Sequence, residues 1–196
     1  MSQDAAKQAF LNNQSLLQDF ISEEGNFLKI ADAAKMVSEA FRTGKKALSC
    51  GNGGSACDAM HFAQEFTGRF RGDRKALPVI CVSDPTHITC VGNDYGFDHI
   101  FSRGVEAYGQ EGDVLIALST SGNSVNIIKA VEAAQERGMK VLTLLGKSGG
   151  KLKGKGEIEW VIPGTTSDRI QEIHMIILHT IIELVERELF PENYTA

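Results

Sequence analysis

The chain has 196 residues, 42% hydrophobic and 23% charged, with a formal net charge of −5. That length suits one globular domain, residues 1–196, able to bury roughly 70% of its unfolded surface. The acidic balance offers no broad basic field for nucleic acid and no polybasic membrane patch, so neither partner is expected.

Apolar residues at helical spacing open the chain: Phe10, Leu16, Leu17, Phe20 and Ile21, then Phe27, Ile30, Ala34, Val37 and Phe41. They predict helices over about 4–22 and 26–43, the second closing near Gly44. Short apolar runs follow at 46–50, 79–83, 114–119, 140–145 and 158–162. Between them lie helix candidates at 56–69, 86–93, 98–108 and 124–137, the last with Gly138 as its cap. Alternation of this kind predicts an α/β domain, a five-stranded parallel sheet with helices on both faces, carrying an N-terminal helical extension. Residues 146–156, GKSGGKLKGKG, read as a solvated connection. A last helix is expected from about 167 to 189, with Thr166 or Ser167 as N-cap and Pro191 at its end. Within it MIILHTIIELV is broken by His179 and Glu183, which makes it a buried helix too short for a bilayer.

Cys50, Cys57, Cys81 and Cys90 are spaced 7, 24 and 9 apart, which fits neither a CxxC redox pair nor a zinc ribbon. They read as reduced thiols of a cytoplasmic protein. The opening MSQDAAKQAF lacks a basic-then-apolar targeting pattern.

Two segments carry most of the functional information. Residues 48–55, LSCGNGGS, and 113–124, DVLIALSTSGNS, each run an apolar strand into a small-residue, hydroxyl-rich turn that opens a helix. A turn of this type is by default an N-cap. Two of them at strand ends point to a phosphorylated ligand, because unpaired N–H groups at helix starts hold an anion without Lys or Arg. Ser119, Thr120, Ser121 and Ser124 add hydroxyl donors, and Gly122 allows close backbone approach. The turns match no P-loop, no GxGxxG fingerprint and no GxSxG elbow, which argues against nucleotide and hydrolase chemistry. The Asp84-Pro85 turn falls at a third strand end and leads to Asn93 and Asp94.

His61 and Glu65 are four apart on the helix after the first turn and share one face, the geometry of a metal-ligand pair or an acid–base pair. The last helix carries Gln171, Glu172, His174 and His179. Gln171 and His179 stand roughly 12 Å apart along its axis and roughly 80° around it, so both serve one small ligand only if their side chains lean together. An aldose–ketose isomerisation uses these parts well. It needs a carboxylate to carry a carbon-bound proton, for which Glu65 is suited, and a second group to shuttle protons on oxygen, for which His179 is suited. Hydrogen-bond donors or a metal would stabilise the enediolate.

The segments CGNGGSACDAMHFAQEFTGRF, SDPTHITCVGNDYGFDHIFSR, GDVLIALSTSGNSVNIIKA and DRIQEIHMIILH together closely resemble the phosphoheptose isomerases of the sugar isomerase (SIS) domain superfamily, over nearly the whole chain. The resemblance implies a flavodoxin-like SIS domain that converts D-sedoheptulose 7-phosphate into D-glycero-D-manno-heptose 7-phosphate through an enediol. That is the first step of ADP-heptose synthesis for lipopolysaccharide. It also implies one zinc per subunit at His61, Glu65, Gln171 and His179, with Glu65 and His179 as acid/base. Substrate would be bound by Asn52, Gly53, Gly54, Ser55, Glu65, Arg69, Asn93, Asp94, Ser119, Thr120, Ser121, Ser124 and Gln171. A cytoplasmic homotetramer with sites at subunit contacts is implied as well, residues 1–43 serving packing and oligomerisation. A carboxamide is an unusual zinc ligand, so on this reading zinc orders the site while Glu65 and His179 carry the protons. The alternative is a non-catalytic paralogue of the same fold that binds the bacterial replication initiator, whose tail ELFPENYTA resembles. The presence of His61, Glu65 and His179 favours the enzyme.

Overall fold

The computed structural model describes Met1 to Thr195. Two helices, α1 (Ser2–Ser22) and α2 (Glu24–Arg42), precede β1 (Ala47–Gly51), α3 (Gly54–Thr67), β2 (Val79–Cys81), α4 (Pro85–Asp94) and α5 (Ser102–Tyr108). The chain continues through β3 (Val114–Ser119), α6 (Val125–Glu136), β4 (Lys140–Gly146), β5 (Ile158–Ile162) and α7 (Ser167–Leu189). All strand pairs are parallel and the sheet order is β2-β1-β3-β4-β5, the expected flavodoxin-like arrangement.

β1 and β3 are buried along their whole length, as central strands covered on both faces must be. Because side chains alternate, each strand feeds two cores. Ala47, Val114, Ile116, Leu118, Leu142 and Leu144 pack with α2, α3 and α7, including Phe62, Phe66, Ile173 and Ile177. Leu48, Cys50, Leu115, Ala117, Val141 and Leu145 pack on the other face with Val105, Ile127, Ala130 and Val131. Helices α3 and α7 are therefore neighbours on one face. Winding reverses between β1 and β3, whose paired residues run from Ala47↔Val114 to Gly51↔Leu118, so both strands end at the same level. Ligand crevices in such sheets open at that switch point.

The structure departs from the sequence expectation in three places. The 98–108 helix begins only at Ser102, after a short 3₁₀ turn at Phe97–His99, because Ile100 and Phe101 turn into the core. On α1 only Phe20 is buried, and Phe10 stays 80% exposed. That helix rests on α7 through the narrow stripe Leu16, Leu17 and Phe20, and Asn13 donates to the Glu172 carboxylate. The third departure, in 146–156, belongs to the site. All four cysteines are free thiols, and no helix among the described residues is long and apolar enough to cross a membrane.

Candidate active site

The turn after β1 is shaped by its glycines. Gly53 has φ +56, which a side chain would strain, and nothing lies within 4 Å of where its Cβ would stand, so its backbone faces open space. A Cβ on Gly54 would stand 2.5 Å from the Gln171 carboxamide oxygen, so only glycine lets Gln171 lie against the first turn of α3. There Gln171 Nε2 donates to Ser55 Oγ at 3.2 Å. Neither Gly53 nor Gly54 donates its N–H to any main-chain acceptor among the described residues, which leaves the start of α3 able to receive an anion.

The turn after β3 is built by its hydroxyls. Ser119 Oγ accepts from Gly122 N–H at 3.1 Å and donates to Ser124 Oγ at 3.4 Å, and Ser121 Oγ accepts from Asn123 N–H at 3.1 Å. Thr120 and Ser167 pair their hydroxyls at 3.0 Å, tying the turn to the start of α7. Ser124 is the N-cap residue of α6, yet its hydroxyl oxygen accepts no N–H from the cap and takes only the Ser119 hydroxyl, so its O–H remains to donate to a ligand. Asn52 and Asn126 exchange two amide hydrogen bonds of 2.8 and 2.9 Å, which lock the two turns side by side.

The 146–156 segment, expected to be a solvated connection, braces this second turn. Leu152 N–H donates to Gly122 O at 3.0 Å and Lys151 N–H to Asn123 Oδ1 at 3.1 Å. Gly122, at φ +64, sits so close that a Cβ would lie 1.8 Å from Gly149 O. The segment looks like solvent-facing chain because Gly and Lys dominate it, yet its main chain is used for support.

Farther along α3, His61 Nε2 lies 3.0 Å from Glu65 Oε1 and 3.0 Å from His179 Nε2 on α7. The His61 and His179 rings are edge to face, and Phe70 covers the other side of His179. Burial holds the His179 pKa below its ordinary value, and a charge on His61 lowers it further, while the Glu65 carboxylate opposes both. His179 is thus neutral at pH 7, able to accept a proton and to ligate. One ligand atom each from His61, Glu65 and His179 gather within 4.8 Å of one another. Two imidazoles and one carboxylate converging with a position to spare are the donor set of an open zinc site, so the residues fit such an ion.

The residues singled out from sequence do not all meet. His61, Glu65 and His179 converge, and Gln171 joins Ser55 and Gly54 at the other end of α3. Asn93 and Asp94, exposed at the end of α4, bond each other at 2.8 Å, with Cys90 Sγ 3.6 Å from Asp94. Arg69 is exposed just beyond α3. Sequence reading passed over Asn126, and also Asp58, one turn before His61. Burial pushes the Asp58 carboxyl up to about 6, and its Oδ2 has no partner among the described residues. The i, i+3 spacing of Asp58 and His61 is the trace that sequence offered for it.

Comparison with known proteins finds relatives over nearly the whole chain. The SIS domain family model matches residues 9–146. The chain is 64% identical to a phosphoheptose isomerase of Fusobacterium nucleatum, over 91% of this chain and 92% of that protein. Solved phosphoheptose isomerase structures from Neisseria gonorrhoeae and Francisella tularensis superpose with TM-scores of 0.87 and 0.90 at 37% and 36% identity. Each covers 95% of this chain and 99% of the other.

Proposed function

The chain belongs to the phosphoheptose isomerases of the SIS domain family, and from that premise we propose that Glu65 and His179 carry the protons of its aldose–ketose isomerisation of sedoheptulose 7-phosphate. The observation that carries the assignment is that His61 touches both side chains and gathers Glu65 and His179 within 4.8 Å of each other across the α3–α7 contact, on the helix whose start forms one of two phosphate-type turns.

The reaction moves a carbonyl from C2 to C1 of the sugar and needs no co-reactant, since substrate and product are isomers. The Glu65 carboxylate takes a proton from C1, the C1–C2 double bond of the enediol forms, and the Glu65 carboxyl, whose proton exchanges with solvent, delivers a proton to C2 to give D-glycero-D-manno-heptose 7-phosphate. His179, neutral and half-buried, accepts a proton from one oxygen and hands it to the other. The open N–H groups at Gly53 and Gly54 and the hydroxyls of Ser119, Thr120, Ser121 and Ser124 hold the phosphate and hydroxyl end. Asn52, Ser55, Arg69, Asn93, Asp94 and Gln171 complete the substrate contacts on this reading. Holding the phosphate fixes which carbons lie beside Glu65, so binding at one end orients chemistry at the other.

His61, Glu65 and His179 would hold one zinc ion per subunit, and Gln171, which lies against Ser55 and Gly54 within its own subunit, would join them as fourth ligand only from a neighbouring subunit. When bound, the ion supplies Lewis-acid stabilisation for negative charge developing on the sugar oxygens. The protein acts in the cytoplasm as a homotetramer, its largely exposed α1 and the outer face of α2 used in assembly, and feeds heptose to lipopolysaccharide synthesis. The purified protein should convert sedoheptulose 7-phosphate as followed by NMR, with the rate falling about tenfold or more after chelation and returning with zinc. Equal rates with and without divalent metal would remove the ion from this account, and failure to convert this sugar would overturn the substrate.

A further inference from the structure

A single buried guanidinium ties the two halves of the proton-transfer pair together. Arg74 lies in the irregular stretch between α3 and β2, yet its side chain is only 1% exposed. Its Nη2 donates to the main-chain oxygen of Glu65 at 2.6 Å, and its Nη1 to Phe66 O at 2.7 Å and Gly68 O at 2.9 Å. These are carbonyls at the C-terminal end of α3, which lack helical partners and carry partial negative charge. The remaining donor, Nε, meets Glu186 Oε1 on α7 at 2.7 Å. Glu186 is wholly buried, and its other oxygen accepts from Tyr194 Oη at 2.8 Å. Glu186 is seven residues after His179, two turns along the same face of α7.

We propose that Arg74 is a positioning residue for the isomerisation, fixing the Glu65 backbone on α3 against the helix that carries His179 through its fork to Glu186. The inference rests on the isomerase reading above. Glu65 and His179 come from elements more than 100 residues apart, and their separation is set by how α3 lies on α7. Apolar packing between Phe62, Phe66, Ile177 and Ile181 brings the helices together but permits small slides. A planar fork with fixed donor directions does not. A buried ion pair gives little net stability over an apolar pair of the same shape, so specificity of geometry is the stronger reason for placing one here. Lysine at this position keeps the charge but has no fork and cannot reach the α3 carbonyls and Glu186 together.

The test compares the full-length parent, Arg74→Lys and Tyr194→Phe in steady-state turnover of sedoheptulose 7-phosphate, well below each protein's unfolding midpoint and with folding checked by circular dichroism. A misplacement of about 1 Å costs on the order of 10²-fold in rate, so Arg74→Lys should lower kcat about tenfold or more while KM stays within about threefold, because the phosphate turns are untouched. Tyr194→Phe, which loosens only the outer oxygen of Glu186, should lower kcat about threefold with KM unchanged. A purely structural bolt would shift both unfolding midpoints and leave kcat alone. The inference fails if folded Arg74→Lys keeps kcat within about twofold of the parent, or loses affinity in place of rate. If Arg74→Lys does not fold, Tyr194→Phe decides, and parental kcat in that variant overturns the inference. An inactive parent would overturn the isomerase reading and this inference with it, whereas an active parent with unaffected variants overturns this inference alone.

Discussion

His174 and His179 stand five residues apart on α7, and in the sequence each is a lone imidazole among aliphatic neighbours. Five residues turn the helix by about 140°, so they face different partners. His174 points into the sheet, fully buried, and its Nε2–H donates to Leu145 O at 2.9 Å, which fixes the tautomer and leaves Nδ1 with no partner among the described residues. His179 points to α3 and meets His61. The purely structural role open to a histidine in this apolar stretch, a buried ring bonded to main chain, is filled by His174. Which of two histidines is core and which faces the cleft depends on helix rotation, and a periodicity count over MIILHTIIELV does not fix that to within one residue.

Burial pushes the His174 pKa down to about 4. The folded protein excludes its proton while the unfolded chain takes it up near pH 6.5, so the unfolded state binds more protons in that window and stability rises with pH. The contribution is complete above about 6.5 and lost as pH falls toward about 4, a total of roughly 3 kcal/mol. Denaturant unfolding between those pH values should therefore be steeper in pH for the parent than for His174→Gln. Equal slopes would place the acid sensitivity elsewhere.

At the scale of elements, each strand–turn–helix unit was legible because its parts are local. Short continuous apolar strand runs, the Asp84 cap whose carboxylate accepts from His87 N–H, and Gly138 at φ +68 all announce themselves within a few residues. The brace under the Ser119–Ser124 turn was not legible, since it uses main-chain groups of Gly149 to Leu152 and composition says nothing of where main chain is spent. That brace makes Gly122 a sensitive position. Gly122→Ala would press a Cβ to within 1.8 Å of Gly149 O in a backbone conformation that alanine resists, and neither neighbour is a movable side chain. The turn must shift, so KM for the sugar phosphate should rise about tenfold with kcat less affected, as steady-state kinetics would show. A loss confined to kcat at saturating substrate would contradict the placement of phosphate at this turn.

For the molecule as a whole, the parallel sheet and its switch point put the ends of β1 and β3 together, and the two cores put α3 beside α7. The first followed from the order of motifs along the chain. The second required knowing which face each helix covers, and parallel sheets conceal this because their strands are apolar on both sides. For that reason the pairing of His61 with His179, 118 residues apart, came from resemblance rather than from periodicity, and the Arg74–Glu186 tie was not visible at all. A long-range contact between α3 and α7 is the physical basis of the proposed chemistry, so the direct test reads proton movement at carbon.

The deciding measurement is NMR of sedoheptulose 7-phosphate turned over in deuterated water by the parent protein and by Glu65→Gln. The account predicts deuterium entering the sugar carbon as aldose forms with the parent. In Glu65→Gln both exchange and turnover should fall by about a thousandfold or more while the fold is retained. Full exchange by folded Glu65→Gln, or aldose formed by the parent with no solvent deuterium under any metal condition, would contradict it.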